Sequence, residues 1–186
     1  MKKLLSDLMI LLMVLTLFTG CIAGGAARAE TQAAASRTIS SINISRFSEY
    51  HNFTNVTSTR NLYGCINNGG NNVFVNCGFN SNKLGFLIDN SQGQSINNSH
   101  GSAVGCTFNH TDGNGGIGIR ILGAKSGYSF TGCQLFFSHI VLENSDDIHF
   151  TGLNTGRQVE ISVTGGKLTM FTGCPFGNPP EAIRIR

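Results

Sequence analysis

Six charged residues of this sequence could bind a ligand or carry out acid and base catalysis if the fold brings them together. Each stands beside or between apolar residues that recur at every second position, the pattern of a strand with one buried face. They are Asp89, Arg120, His139, Glu143, Glu160 and Arg184. Paired carboxylates can act as a general acid and a general base, so the spacing between the strands decides what these residues can do.

The strands that would position these residues are short and recur along the chain. Apolar pairs separated by one residue occur at Ile42/Ile44, Tyr63/Cys65, Phe86/Ile88, Ile119/Ile121, Ile140/Leu142, Ile161/Val163 and Ile183/Ile185. The first members follow one another at a nearly constant spacing, except for one longer step from Phe86 to Ile119. A spacing of this kind indicates a repeat protein, in which one structural unit recurs along the chain.

A second motif has the same period and ends on FTGC or a variant of it. Its six copies begin at Phe53, Phe74, Ala103, Phe130, Phe150 and Phe171. The third residue of each copy is Asn or Gly, the residues that most readily adopt a left-handed backbone, so each copy predicts a sharp corner between two strands. The Phe before the corner and the Cys or apolar residue after it then predict an internal Phe ladder and an internal Cys ladder.

A repeat of roughly 21 residues accommodates about three short strands, because each strand residue advances only about 3.3 Å. The predicted fold is therefore all-β, a parallel β-helix of about six coils that stack at about 4.8 Å. Its composition, with 24 Gly, 13 Phe, 3 Pro and no Trp, favours strands and tight turns over helices.

The corner motifs, the coil length and the alternating strands resemble the right-handed parallel β-helix of the pectin-lyase-like superfamily, which includes pectate lyases, polygalacturonases and phage tailspikes. The resemblance covers residues 38–186. It implies a substrate groove along the outside of one sheet, beside long flanking loops. Two insertions, 91–102 and 111–116, would both flank the sheet that holds the six charged residues.

In this arrangement the outward residues occupy defined positions. His139 and Glu160 would be neighbours on adjacent coils, and Asp89 and Glu143 would lie two coils apart, about 10 Å. We predict Asp89, Arg120 and Glu143 as catalytic candidates, and His139, Glu160 and Arg184 as substrate-binding candidates. Two alternatives stay open: a solvated surface in which such pairs contribute about 0.2 to 1 kcal/mol, and, since Leu87 and Val141 also face outward, a protein-binding surface.

Other motifs of the resembling enzymes match this chain only loosely. Ser99-His100-Gly101 and Arg120-Ile121-Leu122 are similar to polygalacturonase motifs, but Asp146-Asp147 follows both instead of preceding them. Asp146-Asp147 instead ends the run Asn-Ser-Asp-Asp, whose residues favour a turn after the strand of Glu143. The resemblance to pectate lyases would make Arg120 the base beside a calcium ion. Calcium is bound by six to eight oxygens, however, and only the carboxylates of Asp89 and Glu143 would lie close enough to contribute. We predict no metal or other cofactor, with calcium as the alternative; the Gly-rich segment 112–116 is then a loop.

The cysteines and the charge balance exclude several classes. Five cysteines follow Cys21, at positions 65, 77, 106, 133 and 174, and an odd number cannot form a full disulfide framework within one chain. We expect reduced, structural thiols, with a Cys106–Cys133 bond as the alternative. Without the segment 1–29 the acidic and basic side chains nearly balance, which gives no reason to expect nucleic acid as a partner.

The amino terminus predicts export of the bacterial type. Lys2 and Lys3 precede an apolar run, residues 8–18, that is too short to span a bilayer. Ala27-Arg28-Ala29 fits an ordinary signal cleavage site, whereas Phe18-Thr19-Gly20-Cys21 resembles a lipoprotein box with Cys21 lipidated. We predict a signal segment 1–29, a linker 30–37 and a β-helix domain 38–186 that stops within a strand.

Two functions are consistent with these features. The first is an exported protein, secreted or at the cell surface, that binds polysaccharide along the flanked sheet without cleaving it; a lipid anchor would be its only membrane contact. The second is a polysaccharide lyase or glycoside hydrolase, or a fragment of one, that acts on an acidic polysaccharide.

Overall fold

The computed structural model describes residues 37–39, 41–91, 100–156, 158–176 and 183–185. They belong to one unit, Ser36–Arg186. The predicted signal segment 1–29, Cys21 and most of the insertion 91–102 lie outside the described residues. No helix within the described ranges is long and apolar enough to cross a membrane.

The described residues are almost entirely strands and turns, with a single short 3₁₀ segment at Thr111–Gly113. The strands are β1 Arg37–Ile39, β2 Ile42–Ile44, β3 Asn52–Thr54, β4 Val56–Ser58, β5 Tyr63–Asn67, β6 Asn72–Val75, β7 Leu84–Asp89, β8 Gly101–Val104, β9 Ile117–Leu122, β10 Tyr128–Thr131, β11 Gln134–Leu135, β12 His139–Glu143, β13 Ile148–Thr151, β14 Asn154–Thr155, β15 Ile161–Thr164, β16 Met170–Thr172 and β17 Ile183–Ile185. All of their pairings are parallel.

The largest sheet, here called sheet 1, has seven strands in the order β17-β15-β12-β9-β7-β5-β2. It contains all seven predicted apolar pairs. Ile88, Ile121 and Leu142 are buried and lie opposite one another on neighbouring strands. The period of two was therefore a sufficient guide to these strands, because one side of the sheet packs on the core and the other does not.

One predicted pair in sheet 1 is displaced by two residues. Ile42 lies opposite Cys65 and not opposite Tyr63, which pairs with Leu84 instead. The inward residues of β5 are thus Cys65 and Asn67, both fully buried. A polar side chain is tolerated at this core position because Asn67 accepts a hydrogen bond from Asn72 Nδ2, 2.9 Å, and donates to the Tyr128 hydroxyl, 3.5 Å.

Sheet 2 has six strands in the order β16-β13-β10-β8-β6-β3 and holds the predicted Phe ladder. Phe130 and Phe150 stack at 4.9 Å between ring centroids, and Phe150 and Phe171 at 4.8 Å. The ladder is interrupted at Ala103, where Phe86 from sheet 1 fills the space and contacts Phe130 edge-on at 6.0 Å. Ring stacking and burial together make this row the centre of the core.

Every predicted corner is left-handed. The backbone φ angle is 55° at Asn55, 51° at Asn76, 62° at Gly105, 59° at Gly132, 60° at Gly152 and 60° at Gly173. After each corner the chain enters a third row of short pairings, sheet 3, formed by β1 with β4, β11 with β14 and the single bridges between them.

The Cys ladder lies just beyond these corners. Its thiols donate hydrogen bonds to backbone carbonyls on the preceding strand of sheet 2, at 3.4 to 3.5 Å: Cys77 to Phe53, Cys106 to Phe74, Cys133 to Ala103 and Cys174 to Phe150. All five cysteines of the described residues are free. They act as small hydrophobic residues with a weak donor.

Candidate functional site

The outward face of sheet 1 presents rows of side chains that run across the strands. The central row holds Asn43, Ile66, Leu87, Arg120, Val141 and Ser162, followed by the backbone position of Arg184. The next row, nearer the carboxyl ends of the strands, holds Asp89, Leu122, Glu143 and Thr164. The three predicted catalytic candidates therefore share one face. The side chain of Arg184 lies outside the described residues.

Arg120 and Glu143 form an ion pair across adjacent strands. Arg120 Nη2 donates to Glu143 Oε1 at 3.2 Å, and the two side chains are 37% and 43% exposed. Such a half-exposed pair contributes little stability, at most about 1 kcal/mol. The buried Nε of Arg120 has no hydrogen-bond partner among the described residues. The guanidinium thus holds Glu143 in place and keeps donor capacity unused.

Asp89 is also engaged, although by local partners. Its Oδ1 accepts hydrogen bonds from the Ser91 hydroxyl at 2.6 Å and from the Ser91 backbone N–H at 3.1 Å. Its own backbone N–H donates to Asn68 Oδ1 at 2.8 Å. The register places the backbones of Asp89 and Glu143 two strand spacings apart, about 10 Å, with Leu122 between them.

His139 and Glu160 are brought together as predicted, but through a different contact. The backbone N–H of Glu160 donates to Nδ1 of His139 at 3.0 Å, so this nitrogen acts as an acceptor. A neutral imidazole in this arrangement carries its proton on Nε2. No ion pair of the described residues includes the Glu160 carboxylate. The pair can therefore present one donor and one acceptor to a ligand.

A cavity of about 590 Å³ opens at the carboxyl ends of β7, β9 and β12. Its lining residues are Asn90, Ser91, Leu122, Gly123, Lys125, Glu143 and Asn144. The volume lies within the range of small-molecule sites. Amide, hydroxyl, ammonium and carboxylate groups in one cleft are suited to hydroxyl groups, which both donate and accept.

Lys125 lines this cavity although no sequence pattern predicted it. Its Nζ lies 3.3 Å from Asp146 Oδ2 and donates to the Asn144 carbonyl at 2.6 Å. Lys125 stands in a turn after β9, outside the alternating pattern. The signal available in the sequence was its separation from Asp146, which equals the separation of the paired strand residues Arg120 and Val141.

The motifs similar to polygalacturonase residues do not converge on this face. His100 and Gly101 stand at the start of β8 in sheet 2, whereas Arg120-Ile121-Leu122 lies in β9 of sheet 1. Asp147 has φ 60° in the turn after β12, as predicted, and its Oδ1 lies 2.8 Å from His149 Nε2.

The Gly-rich segment is a closed turn. The Thr111 carbonyl accepts the backbone N–H groups of Asn114 at 3.0 Å, Gly115 at 3.3 Å and Gly116 at 3.0 Å. In the part of the chain that the structure describes, no three His, Cys, Asp or Glu side chains are grouped so as to hold a metal ion.

No protein-family model, no curated protein and no solved structure matches this chain.

Proposed function

We propose that residues 38–186 form a right-handed parallel β-helix of about six coils, of the pectin-lyase-like type. The parallel pairings support this, because β9, β12 and β15 pair in chain order, with Ile119 opposite Ile140 and Ile140 opposite Ile161. The left-handed corners between sheets 2 and 3 support it as well. Stacked coils would pair every backbone group with the coil before and the coil after.

We further propose that the protein binds an extracellular or cell-surface polysaccharide along the outward face of sheet 1 and does not cleave it. The main observation is that both carboxylates of the predicted catalytic set are already engaged. Glu143 is paired with Arg120, and Asp89 accepts two hydrogen bonds from Ser91. In a hydrolase one carboxyl group donates a proton and the other acts on water or on the sugar, whereas here Oδ1 of Asp89 and Oε1 of Glu143 are each occupied by a protein donor.

The adjoining cavity explains what these groups would do instead. Glu143, Lys125 and Asn144 line a cleft of about 590 Å³ at the edge of the same face. Their donors and acceptors, together with the spare donors of Arg120, match the hydroxyl groups of a sugar ring. The apolar neighbours Leu87 and Val141 in the central row offer a surface for the ring itself.

The alternative is a polysaccharide lyase or glycoside hydrolase that uses Asp89, Arg120 and Glu143. It is favoured by the register, which places the backbones of Asp89 and Glu143 about 10 Å apart on one face. The carboxyl groups of inverting enzymes are about 6.5 to 9.5 Å apart, a separation that these two side chains can reach. Ligand binding would then have to release Glu143 from Arg120.

A screen of neutral and acidic polysaccharides tests the proposal. Affinity electrophoresis of the full chain in gels containing each polymer measures retention, and ultraviolet absorbance with a reducing-end assay measures cleavage. We expect retention by at least one polymer and no product from it. Cleavage of a retained polymer would favour the enzyme instead, and no retention by any polymer would remove the proposal.

A further inference from the structure

A second cleft lies at the other end of the strands of sheet 1, beside the residues that precede β5 and β7. It has a volume of about 420 Å³ and is lined by the turns that precede β5 and β7 and by the 3₁₀ segment. Its charged residues are Arg60, Lys83 and Asp112. The cavity with Lys125 and Glu143 lies at the carboxyl ends of the strands, so the two clefts are distinct.

The backbone holds the three charged residues in a fixed order. The Lys83 N–H donates to the Asn61 carbonyl at 3.0 Å, and the Asp112 N–H donates to the Asn82 carbonyl at 2.8 Å. These bonds place the turn of Arg60 beside that of Lys83, and the turn of Lys83 beside that of Asp112.

A buried amide makes this scaffold rigid. Asn82 is 1% exposed; its Oδ1 accepts the Asn61 backbone N–H at 2.9 Å, and its Nδ2 donates to the Ser58 carbonyl at 2.8 Å. Arg60 and Asp112 both adopt left-handed backbones, with φ of 60° and 42°. The side chains that line the cleft therefore start from well-determined positions.

The two cations of this cleft are not neutralised by any ion pair that the described residues form. Those ion pairs join Arg120 to Glu143, Lys125 to Asp146 and His149 to Asp147, and none of them includes Arg60, Lys83 or Asp112. Arg60 and Lys83 line the same cleft on neighbouring turns, so both positive charges would attract an anion that enters it. A guanidinium provides a planar fork for an oxyanion, and an ammonium adds a point charge beside it.

We propose that this cleft binds an oxyanion, the carboxylate or sulfate group of an anionic saccharide, between Arg60 and Lys83. Asp112, on the next turn, limits the affinity by repulsion. The volume is sufficient for one sugar ring with its charged group. That the anion belongs to a saccharide rests on the proposed polysaccharide binding. The anion site itself does not rest on it.

The test uses one polymer in three forms: dextran, carboxymethyl-dextran and dextran sulfate. We expect the full chain to bind the two charged forms more tightly than neutral dextran, and the comparison of the two distinguishes a carboxylate from a sulfate ligand. The variant R60N/K83Q should lose about tenfold in affinity for the preferred charged form. Asn at position 60 keeps the left-handed backbone accessible.

Two single variants show whether a loss of affinity in R60N/K83Q comes from the anion site or from misfolding. D112N removes the repelling carboxylate, is tolerated in a left-handed turn, and should raise affinity by about twofold to fivefold. K167Q removes an exposed lysine far along the chain, in the turn before β16, and should leave binding unchanged. A gain of affinity in D112N cannot come from loss of the fold.

The outcomes separate this inference from the proposed function. Equal binding of charged and neutral dextran, or unchanged affinity in both R60N/K83Q and D112N, would overturn the anion site. If in that case Arg120→Ala still abolishes polysaccharide binding, the proposed function stands without the anion site. If R60N/K83Q lowers binding and Arg120→Ala does not, the anion site stands and the proposed role of the outward face of sheet 1 fails.

Discussion

Cys65 and Tyr128 keep their protons because the core around them offers a thiolate or a phenolate little water. Burial raises the pKa of Cys65 well above its ordinary 9.0 and that of Tyr128 well above 10.0. A hydrogen bond with the Cys133 side chain, together with burial, raises the pKa of Cys106 to about 12. These groups have no catalytic role in the proposed function, and their protonation matters for stability.

The pKa shifts predict a loss of stability at alkaline pH. Groups whose pKa is raised in the folded state bind more protons there than in the unfolded chain, so their contribution is complete below pH 9.0 and is lost as the pH rises toward about 12. Cys133, whose pKa is lowered by its hydrogen bond with Cys106, opposes this in part. Urea unfolding at neutral pH and at about pH 10.5 measures the difference.

The variant Cys65→Ala provides the control for the alkaline effect, because burial is the main cause of the raised pKa of Cys65. It removes one raised group and should therefore lose less free energy of unfolding between the two pH values than the wild type does. An equal or larger stability at the higher pH in the wild type would contradict the assignment of these thiols as protonated core residues.

At the scale of the element, the corner decides where each strand of sheet 2 ends. Gly152 has φ 60°, and a Cβ added to it would meet no atom within 4 Å. The only cost of a side chain here is therefore that of the left-handed backbone, about 1 to 2 kcal/mol for most residues and less for Asn. Asn55 and Asn76 already occupy equivalent corners.

This predicts opposite results for two substitutions at one site. Gly152→Asn should leave the free energy of unfolding nearly unchanged, and Gly152→Val should lower it by at least about 1 to 2 kcal/mol, because a β-branched residue is poorly tolerated in this region. Urea unfolding of both variants gives the comparison. If Gly152→Asn loses as much free energy of unfolding as Gly152→Val, the space around the corner and not its backbone conformation limits the residue at position 152.

The elements that local sequence determines were the predictable ones. Alternation of apolar residues predicted the strands of sheet 1, and the Asn or Gly of each corner predicted its left-handed turn, because both effects act within a few residues. The register of β5 was predicted wrongly by two residues, because the burial of Asn67 depends on its hydrogen bonds with Asn72 and Tyr128. These partners are contacts that no local pattern indicates.

The candidate site was predictable in part for the same reason. The shared face of Asp89, Arg120 and Glu143 followed from the strand period. The Ser91 hydrogen bonds that engage Asp89, and the cavity residue Lys125, lie in turns, where no period fixes the direction of a side chain. Arg60 and Lys83 of the second cleft also lie in turns, and no sequence pattern predicted them for that reason.

At the scale of the whole molecule, the sequence of residues 1–29 predicts a signal segment and hence a processed, exported protein. Metabolic labelling with fatty acid and mass spectrometry of the mature chain distinguish the two processing sites: incorporation through Cys21, or an unmodified chain that begins near Glu30. Labelling that persists in Cys21→Ser would exclude the lipoprotein site. An intact chain that retains Met1 inside the cell would contradict export.

Ligand binding by the outward face of sheet 1 is the central claim at this scale, since the proposed function depends on it. Arg120 is the residue to test, because it lies in the central row and holds Glu143 at 3.2 Å beside the cavity. Replacement of Arg120 should cost little stability, at most about 1 kcal/mol, because the ion pair is half exposed. A loss of binding in that variant can then be assigned to a lost contact between Arg120 and the ligand, and not to unfolding.

The most direct measurement is the dissociation constant of the best-retained polysaccharide for the wild type, Arg120→Ala and the control K167Q, with the reaction products analysed in the same samples. We predict binding by the wild type and by K167Q, a loss of at least about tenfold in Arg120→Ala, and no cleavage in any sample. Cleavage that disappears in Asp89→Asn or Glu143→Gln, or equal binding by all three proteins, would contradict the account.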